Sequence, residues 1–558
     1  MSMRAQPNFP IPEETQRVAQ AAFPHGNFVM RIRDVLGELY SDSLFDALFP
    51  ARGQPAESPG RLALVTVLQF AEGLSDRQAA DAVRGRIDWK YTLGLELTDP
   101  GFHYSVLSEF RTRLLQGGLE QQLLDALLAV CRERDWLKAR GRQRTDSTHV
   151  VGVVRQLNGL ELVGETLRSG LECLAVAAPE WLRSQVAVDW FERYGRRFEN
   201  YRLPKEQAER DHLAEQIGAD GYTLLAAVES PTAPADLKNL ECLQVLKQVW
   251  EQQFILAQGE QESGTPTQEK RPRLRANGEL SPGAELIFSP YDPEVRYSTK
   301  RSTEWLGYKV HLTETCDEDR PHLITHVATT PATTADNTMA ETIQAALEAK
   351  TLLPSEHLMD AGYTDADALV NAKGKGVDLC GPVHADTSWQ AQASTGYDIS
   401  RFRFDWQAQQ AICPHGNVSH TWIPIRNHHG AEAIEIRFAR EDCEPCPART
   451  LCTRAKTHMR MLQIRPQAQH EAIQQARQYQ TTEVFQERYA KRAGIEGTIS
   501  QGTRAFELRR TRYLGLAKTH LQHLATAAAI NLARIYDALL EVPMQLTRTS
   551  HFARLALA

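Results

Sequence analysis

Residues 142–154 read RQRTDSTHVVGVV, and the β-branched Thr145, Thr148, Val150, Val151, Val153 and Val154 mark a strand. Aspartate is disfavoured inside a strand, so Asp146 breaks the local rule and becomes a candidate functional residue. Downstream, HLMDAGYTD (357–365) ends a second strand on Asp360. RYAKRAGIEG (488–497) spaces Tyr489, Arg492 and Glu496 at i, i+3 and i+7, one face of a predicted helix.

Three carboxylates this far apart in sequence meet only if a fold gathers them. Converging acids raise one another's pKa unless a cation neutralises them, and the hard, oxygen-seeking cation is Mg²⁺ or Mn²⁺. Two such ions, roughly 3.5–4 Å apart, activate a nucleophilic oxygen and stabilise the leaving oxygen of a phosphodiester. The pattern implies cutting and joining of nucleic acid. The plainer alternative is that Asp146 and Asp360 are turn or capping residues. Glu487 and Glu507 compete with Glu496 for the third position.

The elements around these residues set a fold class, α/β. After the first strand, residues 158–256 read as helices, and 257–284, rich in Gly, Pro, Glu and Gln, as a flexible linker. Strands return in GYKVHLTETCD and HLITHVATT, followed by the helix ADNTMAETIQAALEAK, the strand ending at Asp360, a helix capped by Asp365, and the strand GVDLCGPV. Three strands, helix, strand, helix, strand is the order of a ribonuclease-H-like mixed sheet, split after its first strand by a helical insertion. Asp146 and Asp360 then fall on adjacent strands. The expected units are an all-α N-terminal domain (1–138), a catalytic core (139–157 and 285–395), the insertion and linker (158–284), a cysteine-rich insertion (396–465), and C-terminal helices (466–558).

In the N-terminal part, RLALVTVLQFAEG ends at Gly73, and Ser75 with Gln78 forms a capping box that opens SDRQAADAVRGR. Helix, short turn and helix outlines a helix-turn-helix, and LSEFRTRLLQ, opened by Ser105, adds Arg111 and Arg113. A second basic region runs from Arg488 to Lys518, where Arg488, Lys491, Arg492, Arg504, Arg509, Arg510, Arg512 and Lys518 outnumber Glu496 and Glu507.

The 558-residue chain is too long for one core, and its net charge of −7 excludes a uniformly basic coat. No apolar run approaches a membrane helix, and the start MSMRAQPNFPIPEE does not read as a signal peptide, so a cytoplasmic protein is expected. Nine cysteines without export signals argue against a disulfide framework. Cys131, Cys173, Cys242, Cys316 and Cys380 are read as buried small hydrophobes. Cys413, Cys443, Cys446 and Cys452 supply thiolates for a tetrahedral Zn²⁺ knob, with His415 as an alternative ligand; unrelated free thiols are the alternative. The remaining histidines, His428 and His429 among them, are expected at the surface.

RYAKRAGIEG resembles the Tyr-x-x-Arg-x-x-x-Glu signature of insertion-sequence transposases of the DDE type. DST and DAGY resemble the contexts of that family's first two aspartates, and LSDRQAADAVRGRIDWKYTLGL with YSVLSEFRTRL is similar to its N-terminal helical domain. The resemblance covers most of the chain. It implies that Asp146, Asp360 and Glu496 are catalytic and bind two Mg²⁺ or Mn²⁺ ions, and that Tyr489 and Arg492 contact the DNA end. It also implies that the partners are the element's terminal inverted repeats and target DNA, engaged by a homodimer or larger assembly. The family signature commonly continues to a Lys seven residues after the Glu. Here Thr503 stands in that place with Arg504 beside it as a candidate DNA contact. Two alternatives stay open: a nuclease of the same fold that only hydrolyses, and an inactive relative that only binds DNA.

Overall fold

The computed structural model describes residues 8–542 apart from 51, 54, 261–265, 394, 429 and 458, together with 552 and 555. His429 and residues 261–265 of the expected linker lie outside the described residues. No described helix is long and apolar enough to cross a membrane.

The chain is mixed α/β. Its central sheet is built from β1 (Arg142–Val151), a later group of strands, and nothing from the insertion, whose own hairpin pairs β2 (Phe254–Glu260) with β3 (Pro266–Leu274). This hairpin corrects the expectation of a flexible linker: the strand PTQEKRPRL is held by antiparallel pairing from Phe254↔Leu274 onward and by packing on helix Gln207–Glu229. The sheet continues with β4 (Arg296–Lys300), β5 (Thr303–Thr315), β6 (Ile324–Pro331), β7 (Glu356–Leu358) and β8 (Asp378–Cys380). The order is β4-β5-β1-β7-β8, with β6 also paired to β5. β5 runs antiparallel to β1 and β6, whereas β7 and β8 continue from β1 in parallel.

The register of β1 on β7 sets two aspartates side by side. Arg142 pairs with Glu356 and Arg144 with Leu358, so the same alignment carried two residues further brings Asp146 level with Asp360. The β-branched residues of β1 account for the strand, and burial on both faces keeps it in place. The helix Leu516–Leu539 covers one face, packing on β6 and on the N-terminal helices Pro59–Ala71 and Gln122–Glu133. One hydrophobic core therefore runs from Val29 through Leu68 and Val310 to Ile530.

The N-terminal helices begin and end where expected. Pro59–Ala71 stops before Gly73, whose φ of 70° suits glycine, and the Ser75–Gln78 capping box opens Asp76–Gly85. Arg111, however, is buried, 2.5 Å from Asp76 and over the ring of Tyr513, and Arg113 lies over Phe49. Arg111 thus braces its helix against helix Asp76–Gly85 and the C-terminal segment, and Arg113 against the segment at Leu48 and Phe49.

Two further expectations are corrected. Cys173 and Cys242 form a disulfide, with Cα atoms 6.6 Å apart, because helix Gly159–Ala177 packs on helix Glu241–Gln253. Cys131, Cys316 and Cys380 are buried free thiols as expected. Nor are the histidines uniformly at the surface: His311, His326, His357 and His523 are buried within the sheet and its covering helix. His428 is exposed.

Candidate active site

Asp146 and Asp360 each commit one carboxylate oxygen to the local backbone. The amide of Ser147 donates to Asp146 Oδ1 at 2.8 Å, and the amide of Gly362 donates to Asp360 Oδ1 at 2.9 Å. A Cβ at Gly362 would approach Asp360 Oδ1 to 3.0 Å and press on that carboxylate. The second oxygen of each aspartate faces a single guanidinium. Arg492 Nη2 lies 2.6 Å from Asp146 Oδ2 and 3.9 Å from Asp360 Oδ2, while Arg492 Nη1 lies 3.1 Å from Glu496 Oε1. All three sequence-predicted carboxylates are thus gathered around one cation. Their side chains are graded in exposure, 12% for Asp146, 27% for Asp360 and 66% for Glu496, so the group opens toward solvent on the Glu496 side.

The helix expected to carry Tyr489, Arg492 and Glu496 is divided. Helix Glu483–Ala490 gives way to a 3₁₀ turn at Lys491–Ala493, and helix Gly494–Ala505 follows. Arg144 explains the division: its Nη1 donates to Lys491 O at 2.6 Å, and its guanidinium occupies the place where a side chain on residue 494 would be. The tightened turn still delivers Arg492 to Glu496. Tyr489 stacks on Phe485 with ring centroids 5.4 Å apart, close enough to the site for burial to raise its hydroxyl pKa, with Arg492 opposing.

Beneath the site lies a buried charge network that sequence reasoning missed. Glu314 on β5 is fully buried and accepts from Arg144 Nε at 2.7 Å, Arg534 Nη1 at 2.7 Å and Thr498 Oγ1 at 2.5 Å. Its pKa is lowered: burial alone would raise it, but Arg534, Arg144 and the Thr498 hydroxyl outweigh burial. Asp146 goes the other way. Burial raises its pKa, and Arg492 and the Ser147 amide only partly offset that. Asp336 is a further missed carboxylate, 2.9 Å from Lys309 and accepting from Ser147 Oγ at 3.2 Å. No sequence spacing flags the Lys309–Asp336 ion pair, whose members lie on separate elements.

A cleft of about 430 Å³ opens beside Asp146 and Glu496, lined also by Thr503, Arg504 and Arg509. Arg509 is anchored by its Nε donating to Thr148 Oγ1 at 2.8 Å. Other members of the basic excess are used within the protein: Arg488 pairs with Glu356 and Asp378, Lys491 with Glu318, and Arg512 with Glu507. The oxygen donors suit a hard divalent cation. Among the described residues, though, no three His, Cys, Asp or Glu side chains, the cysteine cluster included, are set as metal ligands, and the carboxylates face Arg492 instead. Farther along, Cys413, Cys443, Cys446 and Cys452 line one cavity of about 30 Å³ with Tyr397 and His415.

Residues 17–113 match the family model described as Transposase domain (DUF772), and residues 412–536 match the one described as Transposase DDE domain. The two matches, which together span less than half of the chain, support an insertion-sequence transposase of the DDE type. The second match contains Tyr489, Arg492, Glu496 and the four clustered cysteines; Asp146 and Asp360 precede it. No curated protein and no solved structure matches the chain.

Proposed function

We propose that the chain binds the ends of its insertion sequence, cleaves them, and joins the resulting 3′-hydroxyls to target DNA at a site made of Asp146, Asp360 and Glu496. The observation that carries this reading is the meeting of these three carboxylates about Arg492, with a DDE-domain match across the Glu496 side. The sheet order, with Asp146 and Asp360 level on parallel neighbours, supports a ribonuclease-H-like core. Bound Mg²⁺ or Mn²⁺ would supply Lewis-acid stabilisation of the attacking and leaving oxygens, with Asp146, Asp360 and Glu496 as its holders.

The chain's own groups do the rest. Gly362 and Ser147 amides fix the two aspartates so that the second oxygen of each faces Arg492. Arg492, planar and permanently charged, suits a DNA phosphate, with Tyr489 beside it and Arg504 and Arg509 along the cleft wall for the backbone that follows. A water attacks the phosphodiester to free a 3′-hydroxyl, which then attacks a target phosphodiester and displaces a second 3′-oxygen. Element ends are read by residues 61–136, and a homodimer or larger assembly holds paired ends. Cys413, Cys443, Cys446 and Cys452 would hold a structural Zn²⁺, a reading supported by the cavity they line together and by tight turns at Cys413 (Gly416 N to Cys413 O, 2.9 Å) and Cys443 (Cys446 N to Cys443 O, 3.3 Å). Elemental analysis of protein purified under reducing, chelator-free conditions should find one zinc per chain, and none would return these residues to ordinary thiols.

A strand-transfer assay with precut ends tests the main reading. Joined products are expected; hydrolysis without joining would favour the nuclease alternative, and binding without either would favour the inactive relative.

A further inference from the structure

The three carboxylates of the site share one protein cation, Arg492, without any ion. Asp146 Oδ2, Asp360 Oδ2 and Glu496 Oε1 all face Arg492 within 2.6–3.9 Å, and the oxygens they offer it are those not tied to backbone amides. A divalent cation needs the same oxygens, and a second positive charge brought beside the guanidinium is repelled. Arg492 and metal therefore compete for one donor set.

The guanidinium is also incompletely satisfied. Its Nε is buried and has no hydrogen-bond partner among the described residues, so one edge of the fork lacks an acceptor. A phosphate offers two oxygens to such an edge and satisfies it in a way that three separate carboxylates do not. The backbone on which Arg492 sits is held from outside the carboxylate group, by Arg144 to Lys491 O and by Lys491 to Glu318. Its side chain can accordingly change partner while the turn stays in place.

Resting on the proposed function, we propose that Arg492 is a counter-ion latch: it holds Asp146, Asp360 and Glu496 together in the DNA-free protein and admits metal only when a DNA phosphate takes the guanidinium. Metal loading is then coupled to DNA. By linkage, the factor by which DNA tightens metal is the factor by which metal tightens DNA. A transposase regulated this way keeps its cleavage site unloaded until substrate arrives.

The test is Mn²⁺ titration of the full-length protein, followed by electron paramagnetic resonance of the free ion, with and without a mixed-sequence DNA duplex. Without DNA, Arg492→Gln is expected to bind Mn²⁺ at least about tenfold more tightly than wild type, with Arg492→Lys in between. The duplex is expected to tighten wild type by a similar factor and to leave Arg492→Gln unchanged. Should Arg492→Gln fail to fold, Arg492→Lys carries the comparison. Equal affinity of wild type and the foldable variant, lost in both on Asp146→Asn, overturns the latch and leaves the metal reading standing. Mn²⁺ binding that survives Asp146→Asn in the Arg492→Gln background overturns the metal reading itself.

Discussion

Thr498 donates its hydroxyl to the buried carboxylate of Glu314 at 2.5 Å, fastening the helix that carries Glu496 to the strand paired with that of Asp146. Arg144 and Arg534 complete the network from the other sides. The helix of Glu496 is thus fastened beside the strand of Asp146 by a charge that never meets solvent.

Replacing Glu314 with Ala leaves two arginines without their shared partner and should cost about 3–5 kcal/mol. The lowered pKa of Glu314 fixes the sign with pH: its contribution is present above the ordinary carboxylate value of 4.5 and is lost as pH falls below it. Urea unfolding of wild type and Glu314→Ala should give a gap that narrows in acid. A gap independent of pH would contradict this.

Four buried histidines and the half-buried His520 make a second pH dependence. Burial lowers His326, His357 and His523 to about 3 and His311 and His520 to about 4, from 6.5. The unfolded chain takes up protons that the folded one refuses, so stability is full above 6.5 and declines as pH falls toward those values. Each histidine costs about 1.4 kcal/mol per pH unit in that window. Urea midpoints should drop steeply between neutral pH and about 5; a flat profile would show these rings to be solvated.

Gly494→Ala sets a methyl against the Arg144 guanidinium at the start of the Glu496 helix. Overpacking of this kind costs about 1–3 kcal/mol. Cleavage should suffer more than DNA binding, because the displaced element carries a carboxylate. Unaltered melting and cleavage would mean that Arg144 moves aside freely.

Asp146 and Asp360 were legible because strand order is written in local signals: the β-branched run, the Asp365 cap, and helices between strands. Their register then followed from the parallel pairing. What escaped the sequence depends on partners remote in the chain. Nothing local in PTQEKRPRL announces a strand, since β2 supplies its hydrogen bonds. The Cys173–Cys242 pairing and the burial of Arg111 arise from helix packing. The 3₁₀ turn at Lys491–Ala493 answers to Arg144 on β1, and His357 is buried by the strands around it, its Nε2 2.7 Å from Thr145 Oγ1.

Whether Asp146, Asp360 and Glu496 form one cleavage site is decided by cleavage of a plasmid-borne element by wild type, Asp146→Asn, Asp360→Asn and Glu496→Gln, with end binding measured alongside. Each substitution should abolish cleavage and leave binding intact, since a two-metal site fails with any ligand removed while phosphate contacts come mainly from Lys and Arg. A Glu496→Gln protein that cuts at the wild-type rate would contradict the account and turn attention to Glu487 or Glu507.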